Sequence, residues 1–278
     1  MFIFKEIADL RHYLDSTESS LGFVPTMGAL HQGHISLIER SKTANQVTIC
    51  SIFVNPAQFN DPSDYQKYPV TLEKDIQALS LVKTDILFLP EVDEMYPEGN
   101  RSSKNYNLGY LDTILDGEFR PGHFNGVCTI VEKLLKAVKP TRMYLGEKDF
   151  QQCLVLKRLI EIMKSDVEII TCATQREPNG LAMSSRNERL SKAGREKASA
   201  IYYTLHSIKE DMKRIPFNDL QDRLTKYLDA NAFETEYLLL ADAKTLELLN
   251  EVDTTRKMVV LIAARLEGVR LIDNLRLN

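Results

Sequence analysis

No excess of basic residues marks this 278-residue chain: 35 Lys and Arg stand against 39 Asp and Glu, for a formal charge of −4. A protein held to nucleic acid by phosphate contacts needs such an excess, so that class is disfavoured, although a local basic pocket is still allowed. Cysteine is scarce. The four present (Cys50, Cys128, Cys153 and Cys172) form no C-x-x-C pair, and each lies in an apolar segment. They read as buried reduced thiols, which fit a reducing cytosol better than a secreted disulfide scaffold. No apolar run reaches the roughly 18 residues of a membrane span. The opening Met1-Phe-Ile-Phe-Lys-Glu-Ile7 lacks the long apolar core of a signal peptide, so a cytoplasmic protein is expected. Internal repeats, low-complexity tracts and the P-loop pattern G-x-x-x-x-G-K-[ST] are also missing.

What is there begins with Phe23-Val-Pro-Thr-Met-Gly-Ala-Leu-His-Gln-Gly-His34. The segment reads as a short apolar strand, a turn around Gly28, and two histidines flanking Gly33 where a helix begins. A helix start carries unpaired N–H groups and about half a positive charge, so it attracts anions. Two imidazoles there add donors for a phosphate, and Gly33 lets a ligand approach the backbone. Two other readings stay open at this point. His31 and His34 can ligate zinc from one helical face, although no third ligand lies nearby. They can also make purely structural hydrogen bonds at the helix start.

Apolar periodicity gives the organisation. Ile7, Leu10 and Leu14 recur at helical spacing before a strand at Leu21–Pro25. A helix carrying Ile35 and Ile38 leads to Val47–Val54, an unbroken apolar run suited to a strand covered on both faces. Thr71 is placed to cap a helix with Leu72, Ile76 and Leu79 inward, and Asp85–Pro90 follows as a strand. Val127, Ile130, Val131, Leu134, Leu135 and Val138 line one face of a long helix ended by Pro140. Met143–Leu145 is the next strand, a helix follows with Val155, Leu159 and Ile162 inward, and then comes Val167–Cys172. This alternation predicts an α/β, Rossmann-like domain over 1–175, a parallel sheet with helices on both faces. Past residue 175 the pattern becomes a helix from Ser191 to about Lys213, a second over Asp219–Asn231, and strands at Tyr237–Leu240, Met258–Ala264 and Val269–Asp273. A smaller C-terminal α+β domain over 176–278 is therefore expected, acting as a lid, with Gln175–Gly180 as linker.

In an open parallel sheet, ligands sit outside the carboxyl ends of the strands. After the second strand comes Asn55-Pro-Ala-Gln58-Phe-Asn60, whose amides can bind a hydroxyl or carboxylate, or simply shape a turn. Gly146-Glu147-Lys148-Asp149-Phe-Gln-Gln152 offers close approach at Gly146, a phosphate-binding cation at Lys148 and a ribose acceptor at Asp149. A solvated loop is its bland alternative. Gly180-Leu-Ala-Met183-Ser-Ser-Arg-Asn187 can wrap a polyphosphate with two hydroxyls and a guanidinium, or Arg186 can cap a helix. Arg120-Pro-Gly-His123-Phe-Asn-Gly126 reads as a lid or a helix cap.

Pro25–His34, Phe53–Phe59, Arg120–Phe124, Gly146–Gln152 and Met183–Asn187 together resemble the signature blocks of the pantothenate synthetase (pantoate–β-alanine ligase) family, in its order and roughly its spacing. Leu271-Ile-Asp-Asn274 also looks familial. The His-x-Gly-His block alone is shared across a wide nucleotidyltransferase superfamily; five blocks together are specific. The resemblance implies ATP-dependent ligation of pantoate and β-alanine through a pantoyl-adenylate, releasing AMP and pyrophosphate, in a homodimer. It implies His34, Lys148 and Arg186 as the catalytic set. Met27, Gly28, His31, Gly33, Gly146, Glu147, Asp149, Met183, Ser184 and Ser185 would join them on ATP, with Gln175 at a position touching adenine. Gln58, Gln152, Asn55 and Met27 would hold pantoate. Mg²⁺ would ride on ATP oxygens with no dedicated protein ligand, and Asp75 is a candidate supporting group.

Rival readings are separable. A small adenylyltransferase would lack the Gln58 and Gln152 pair, and a tRNA-charging enzyme would want a basic surface. A non-catalytic nucleotide sensor would have lost one of His34, Lys148 and Arg186. A zinc hydrolase would need a third ligand.

Overall fold

The computed structural model describes residues 1–16, 19–99 and 104–278. Contacts divide the chain into two compact units, one of Met1–Glu147 with Gln152–Ala173, the other of Lys148–Gln151 with Thr174–Asn278.

The first unit is a parallel sheet of β1 (Phe2–Phe4), β2 (Leu21–Thr26), β3 (Val47–Ile52), β4 (Ile86–Phe88), β5 (Arg142–Gly146) and β6 (Glu168–Cys172). Its spatial order is β1-β4-β3-β2-β5-β6, every pair parallel. β2, β3 and β4 progress toward one edge, and the chain then returns to place β5 on the other side of β2. The order reverses there, which makes the carboxyl ends of β2 and β5 the switch point where a ligand crevice is expected. Both sheet faces are covered. One packs Phe23, Ile49, Phe88 and Met143 against the His123–Val138 helix; the other packs Val24, Cys50, Leu87 and Tyr144 against the Gln32–Lys42 helix. Double coverage explains the unbroken apolar strands, and burial pushes the Cys50 thiol up to about 12, leaving it unreactive.

Two sequence expectations in this unit need adjustment. Strand β3 stops at Ile52, because the chain turns at Asn55 into a short 3₁₀ segment, Pro56–Gln58. In the Leu72–Leu81 helix Leu72 is exposed, and Asp75 with Leu79 forms the buried stripe. The period predicted a fully apolar face there; a buried carboxylate occupies part of it for the reason given below.

The second unit contains an antiparallel sheet of β7 (Glu234–Asp242), β8 (Leu248–Leu249), β9 (Met258–Leu266) and β10 (Val269–Arg276), ordered β10-β9-β7-β8. The β9–β10 hairpin turns on Glu267 and Gly268, at φ 52° and 72°. Such a pair of left-handed residues matches strand twist in two-residue hairpins. Helices Ala200–Asp211 and Phe217–Ala230 supply Leu205, Ile208, Leu220 and Leu224 to the core of this unit. The single helix expected from Ser191 to Lys213 is two, Lys192–Lys197 and Ala200–Asp211. Ser191 does cap the first, its Oγ accepting from Gly194 N at 2.9 Å.

Glu132, on the buried face of the His123–Val138 helix, accepts from Lys104 Nζ at 2.5 and 2.7 Å, Tyr106 Oη at 2.5 Å and Lys136 Nζ at 2.8 Å. Burial alone would raise this carboxyl, but these three partners override it and hold it at about 2. The sign follows from linkage. A depressed folded value contributes stability in full above the ordinary 4.5 and loses it as pH falls through about 2. Glu132→Gln is expected to flatten the acid limb of the stability curve over that window and to cost about 2 kcal/mol at neutral pH. Urea unfolding across pH checks this; an unchanged acid limb would contradict it.

Candidate functional site

The turn leaving β2 is fixed from three sides. Thr26 Oγ1 donates to Ser51 O at 2.7 Å and accepts from Gly28 N at 3.2 Å. Gly28 sits at φ +80°, and a Cβ there would meet Asp75 Oδ2 and Ile52 Cγ2 at 3.1 Å, so glycine is required twice over. Buried Asp75 accepts from Ala29 N at 2.9 Å, Leu30 N at 2.8 Å and Thr71 Oγ1 at 3.1 Å. A carboxylate is thus the bolt of the turn, satisfying N–H groups that would otherwise be buried without partners.

This turn delivers His31 as the cap of the Gln32–Lys42 helix. His31 Nδ1 accepts from Gly33 N at 3.1 Å, and His34 Nδ1 accepts from His31 N at 3.3 Å, with the ring centroids 4.1 Å apart. This is a reciprocal capping arrangement with imidazoles in place of the usual hydroxyl and carboxylate. It has a chemical consequence. A neutral imidazole that accepts at Nδ1 carries its proton on Nε2, so both rings are held as Nε2–H donors at a helix start. The structure thus shows the structural hydrogen bonds at the helix start, and these same backbone bonds leave each Nε2–H as the ring's donor.

The turn after β3 carries Gln58. Asn55 Nδ2 donates to Gln58 Oε1 at 3.0 Å and to Gly126 O at 3.2 Å, while Asn55 Oδ1 accepts from Tyr96 Oη at 2.6 Å and Ala57 N at 3.3 Å. Two donors and two acceptors exhaust this amide. Asn55 therefore holds Gln58 in this structure rather than offering groups of its own. Gln58 Nε2 lies 3.1 Å from Met27 Sδ, bringing together two of the residues singled out for pantoate. His123 braces the same turn, its Nδ1 donating to Gln58 O at 2.8 Å while Nε2 meets Arg120 at 3.0 Å. The Arg120–His123 block is thus a buttress of Gln58, a role the sequence left between lid and cap. A cavity of about 490 Å³ opens beside Met27 and Gly28, walled by Ile52, Phe53, Val54 and Leu89.

After β5, Gly146 has open space where a Cβ would stand, so its backbone is approachable, and Glu147 N donates to Cys172 O at 2.8 Å. Half-buried Gln152 lies in the Phe150–Met163 helix.

In the second unit Lys148 is largely covered, its ammonium 3.5 Å from the Asp149 carboxylate. Ser184 Oγ accepts from Arg186 N at 3.3 Å and caps the short Ser185–Arg189 turn; Ser185 is buried and Arg186 half-buried. Gln175 is exposed, and its carbonyl accepts from Met183 N at 2.9 Å, so it meets this loop through backbone.

Among the described residues, no group of three or more His, Cys, Asp or Glu side chains is arranged to hold a metal ion. His31 and His34 use Nδ1 on backbone, and Asp75 uses both oxygens on the turn.

The model of the pantoate-beta-alanine ligase family matches residues 2–276. The chain belongs to that family. A pantothenate synthetase of Cytophaga hutchinsonii is 48% identical over 259 residues, covering 92% of this chain and 91% of that one. A pantothenate synthetase of Flavobacterium psychrophilum is 42% identical with full coverage of both chains. Among solved structures, the pantothenate synthetase of Thermus thermophilus superposes with a TM-score of 0.92 at 39% identity, covering 100% of this chain and 99% of that one. The Francisella tularensis pantoate-beta-alanine ligase, solved with a β,γ-ATP compound and β-alanine, gives a TM-score of 0.84 at 38% identity, covering 99% and 97%. As a member of this ligase family the protein is an enzyme that forms an amide bond, and its α/β fold is the family's.

Asp75, Tyr96, Arg120, His123 and Gly126 hold the turns after β2 and β3 in place. The sequence offered Asp75 as a candidate supporting group and Arg120–Gly126 as a lid or helix cap; Tyr96 gave no signal, because its partner Asn55 lies 41 residues away.

Proposed function

We propose that this ligase joins pantoate to β-alanine in two steps. A pantoate carboxylate oxygen attacks the α-phosphorus of ATP, forming a P–O bond while the bond to the β-phosphate breaks and pyrophosphate leaves. The β-alanine amine then attacks the acyl carbon, the C–O bond to phosphate breaks, AMP departs, and the amine gives up a proton. The first step exists because a carboxylate has no leaving group better than oxide, and adenylation supplies one. Such chemistry needs positioning and charge stabilisation rather than a protein nucleophile.

Under this reading His34 and His31 donate Nε2–H bonds to the phosphates, and His34 stabilises the charge that develops as pyrophosphate leaves. Lys148 and Arg186 neutralise the β/γ oxygens, Ser184 and Ser185 close on them, and Asp149 with Gly146 holds ribose. Gln58 and Gln152 grip pantoate's hydroxyl and carboxylate, with Met27 against its gem-dimethyl carbon. Mg²⁺ bound to the ATP phosphates supplies further charge neutralisation. The homodimer, the cytoplasmic setting and the partition at residues 175 and 176 belong to the same reading.

The observation that carries it is the pair of Nδ1-accepting imidazoles at the start of the helix after β2, together with the Asn55-held Gln58, whose amide meets Met27 on the turn leading to that helix. A nucleotide sensor would not need a braced pantoate-side amide. The test is an omission series with ATP, Mg²⁺, pantoate and β-alanine. The reading expects AMP and amide product only with all four, and pyrophosphate without β-alanine. ADP and orthophosphate as products would overturn it.

A further inference from the structure

Two polar residues within β10, Asp273 and Asn274, are buried side by side in the strand Val269–Arg276. Alternation should put one of them in solvent. Neither is exposed, so each must have partners, and both find them on segments the proposed function assigns to the nucleotide. Asn274 Nδ2 donates to the backbone carbonyl of Lys148 at 2.9 Å. Asp273 takes a bidentate pair from Arg176, at 2.6 and 3.1 Å. Arg176 also donates to Gly180 O at 3.1 Å and lies 5.0 Å over the Tyr202 ring.

Those contacts fix a small hairpin. Arg176 pairs with Ala182 in an antiparallel bridge, Glu177 N donates to Leu181 O at 2.8 Å, and Met183 N to Gln175 O at 2.9 Å. Gly180, at φ +89°, lets the hairpin lie on Tyr202; a Cβ there would stand 2.4 Å from the ring. The hairpin runs straight into Met183-Ser-Ser-Arg186. Asp273 Oδ1 also accepts from the backbone Asn274 N at 2.8 Å, which ties the Asp273 side chain to the main chain of its neighbour. All of these residues lie in the second unit.

We propose that Asp273 and Asn274 are positioning residues for adenylation, Asn274 setting Lys148 through its backbone and Asp273 setting the Ser184–Arg186 loop through Arg176. One stretch of β10 thereby holds the two cationic segments in a fixed mutual register. The inference rests on the reading that Lys148 and Arg186 meet the β/γ phosphates. Misplacement of a charge by about 1 Å is enough to cost on the order of a hundredfold in a positioned reaction. Neither side chain touches substrate in this account.

The test separates the half-reactions. Asn274→Ala removes the amide, and Asn274→Asp keeps its size but replaces the donor by an acceptor. Both are expected to slow pantoate-dependent pyrophosphate release about tenfold. Aminolysis of supplied pantoyl-adenylate, which carries no β/γ phosphates, should change less than about threefold. The double variant Lys148→Ala/Asn274→Ala should be no slower than Lys148→Ala alone, because Asn274 acts through Lys148. Equal loss in both half-reactions, or no loss in either, would overturn the proposal and leave Asn274 a structural residue. If Lys148→Ala itself releases pyrophosphate at the parent rate, the assignment of Lys148 falls and the proposal falls with it. If Lys148→Ala is slow and both Asn274 variants are not, only the positioning role falls.

Discussion

Alanine at His34 is expected to slow pyrophosphate release by at least about tenfold, or ~1.4 kcal/mol of barrier, with ATP binding weakened as well. The loss approaches a hundredfold if His34 acts mainly on the charge that appears as the α–β bond breaks, because a fixed donor there does its work in the transition state. Its donor character depends on the bond from His31 N to His34 Nδ1. His34→Gln, which retains a side-chain N–H, should recover part of the rate. Lys148→Ala is expected to show a loss of similar size in the same half-reaction. Single-turnover pyrophosphate release checks both; near-parental rates in either variant would remove that residue's assigned role.

Gly126→Ala is expected to be strongly damaging for a single added methyl. A Cβ there would stand 2.2 Å from Ala57 O and 2.9 Å from Gln58 Cα, and both contacts are backbone that cannot rotate away. Either the His123–Val138 helix or the Pro56–Gln58 turn must move. Such overpacking costs on the order of 3 kcal/mol, which lowers the midpoint of thermal unfolding by roughly 6–12 °C. The same displacement breaks the Asn55–Gly126 bond and loosens Gln58, so KM for pantoate should rise more than KM for ATP. Unchanged unfolding together with unchanged pantoate KM would show that the turn tolerates the shift.

Periodicity made the alternating strands and helices of the first unit legible, because a doubly covered parallel sheet writes its strands as apolar runs. Strand β1, three residues long, and β8, two residues long, are too short to show a period, and neither was anticipated. The break at Ala198–Ser199 was hidden because both flanking segments favour helix. At the site, motif spacing pointed to His31, His34 and Gln58 but not to what holds them. Asp75 reaches its loop across 46 residues, His123 reaches Gln58 O across 65, and Asn55 reaches Gly126 across 71. Pairings of that span are properties of the folded chain. Amide-rich loops such as Asn55–Asn60 are therefore ambiguous in sequence: Asn55 and Gln58 look alike there, and only the folded chain shows that all of the Asn55 amide is spent on Gln58, Gly126, Tyr96 and Ala57.

The proposed reaction turns on attack by a pantoate carboxylate oxygen on the α-phosphorus of ATP. Pantoate labelled with oxygen-18 in its carboxylate, turned over with ATP, Mg²⁺ and β-alanine, tests this directly by mass spectrometry of the products. One labelled oxygen is expected in AMP for each amide formed. Label in orthophosphate, or label absent from AMP while amide accumulates, would contradict it.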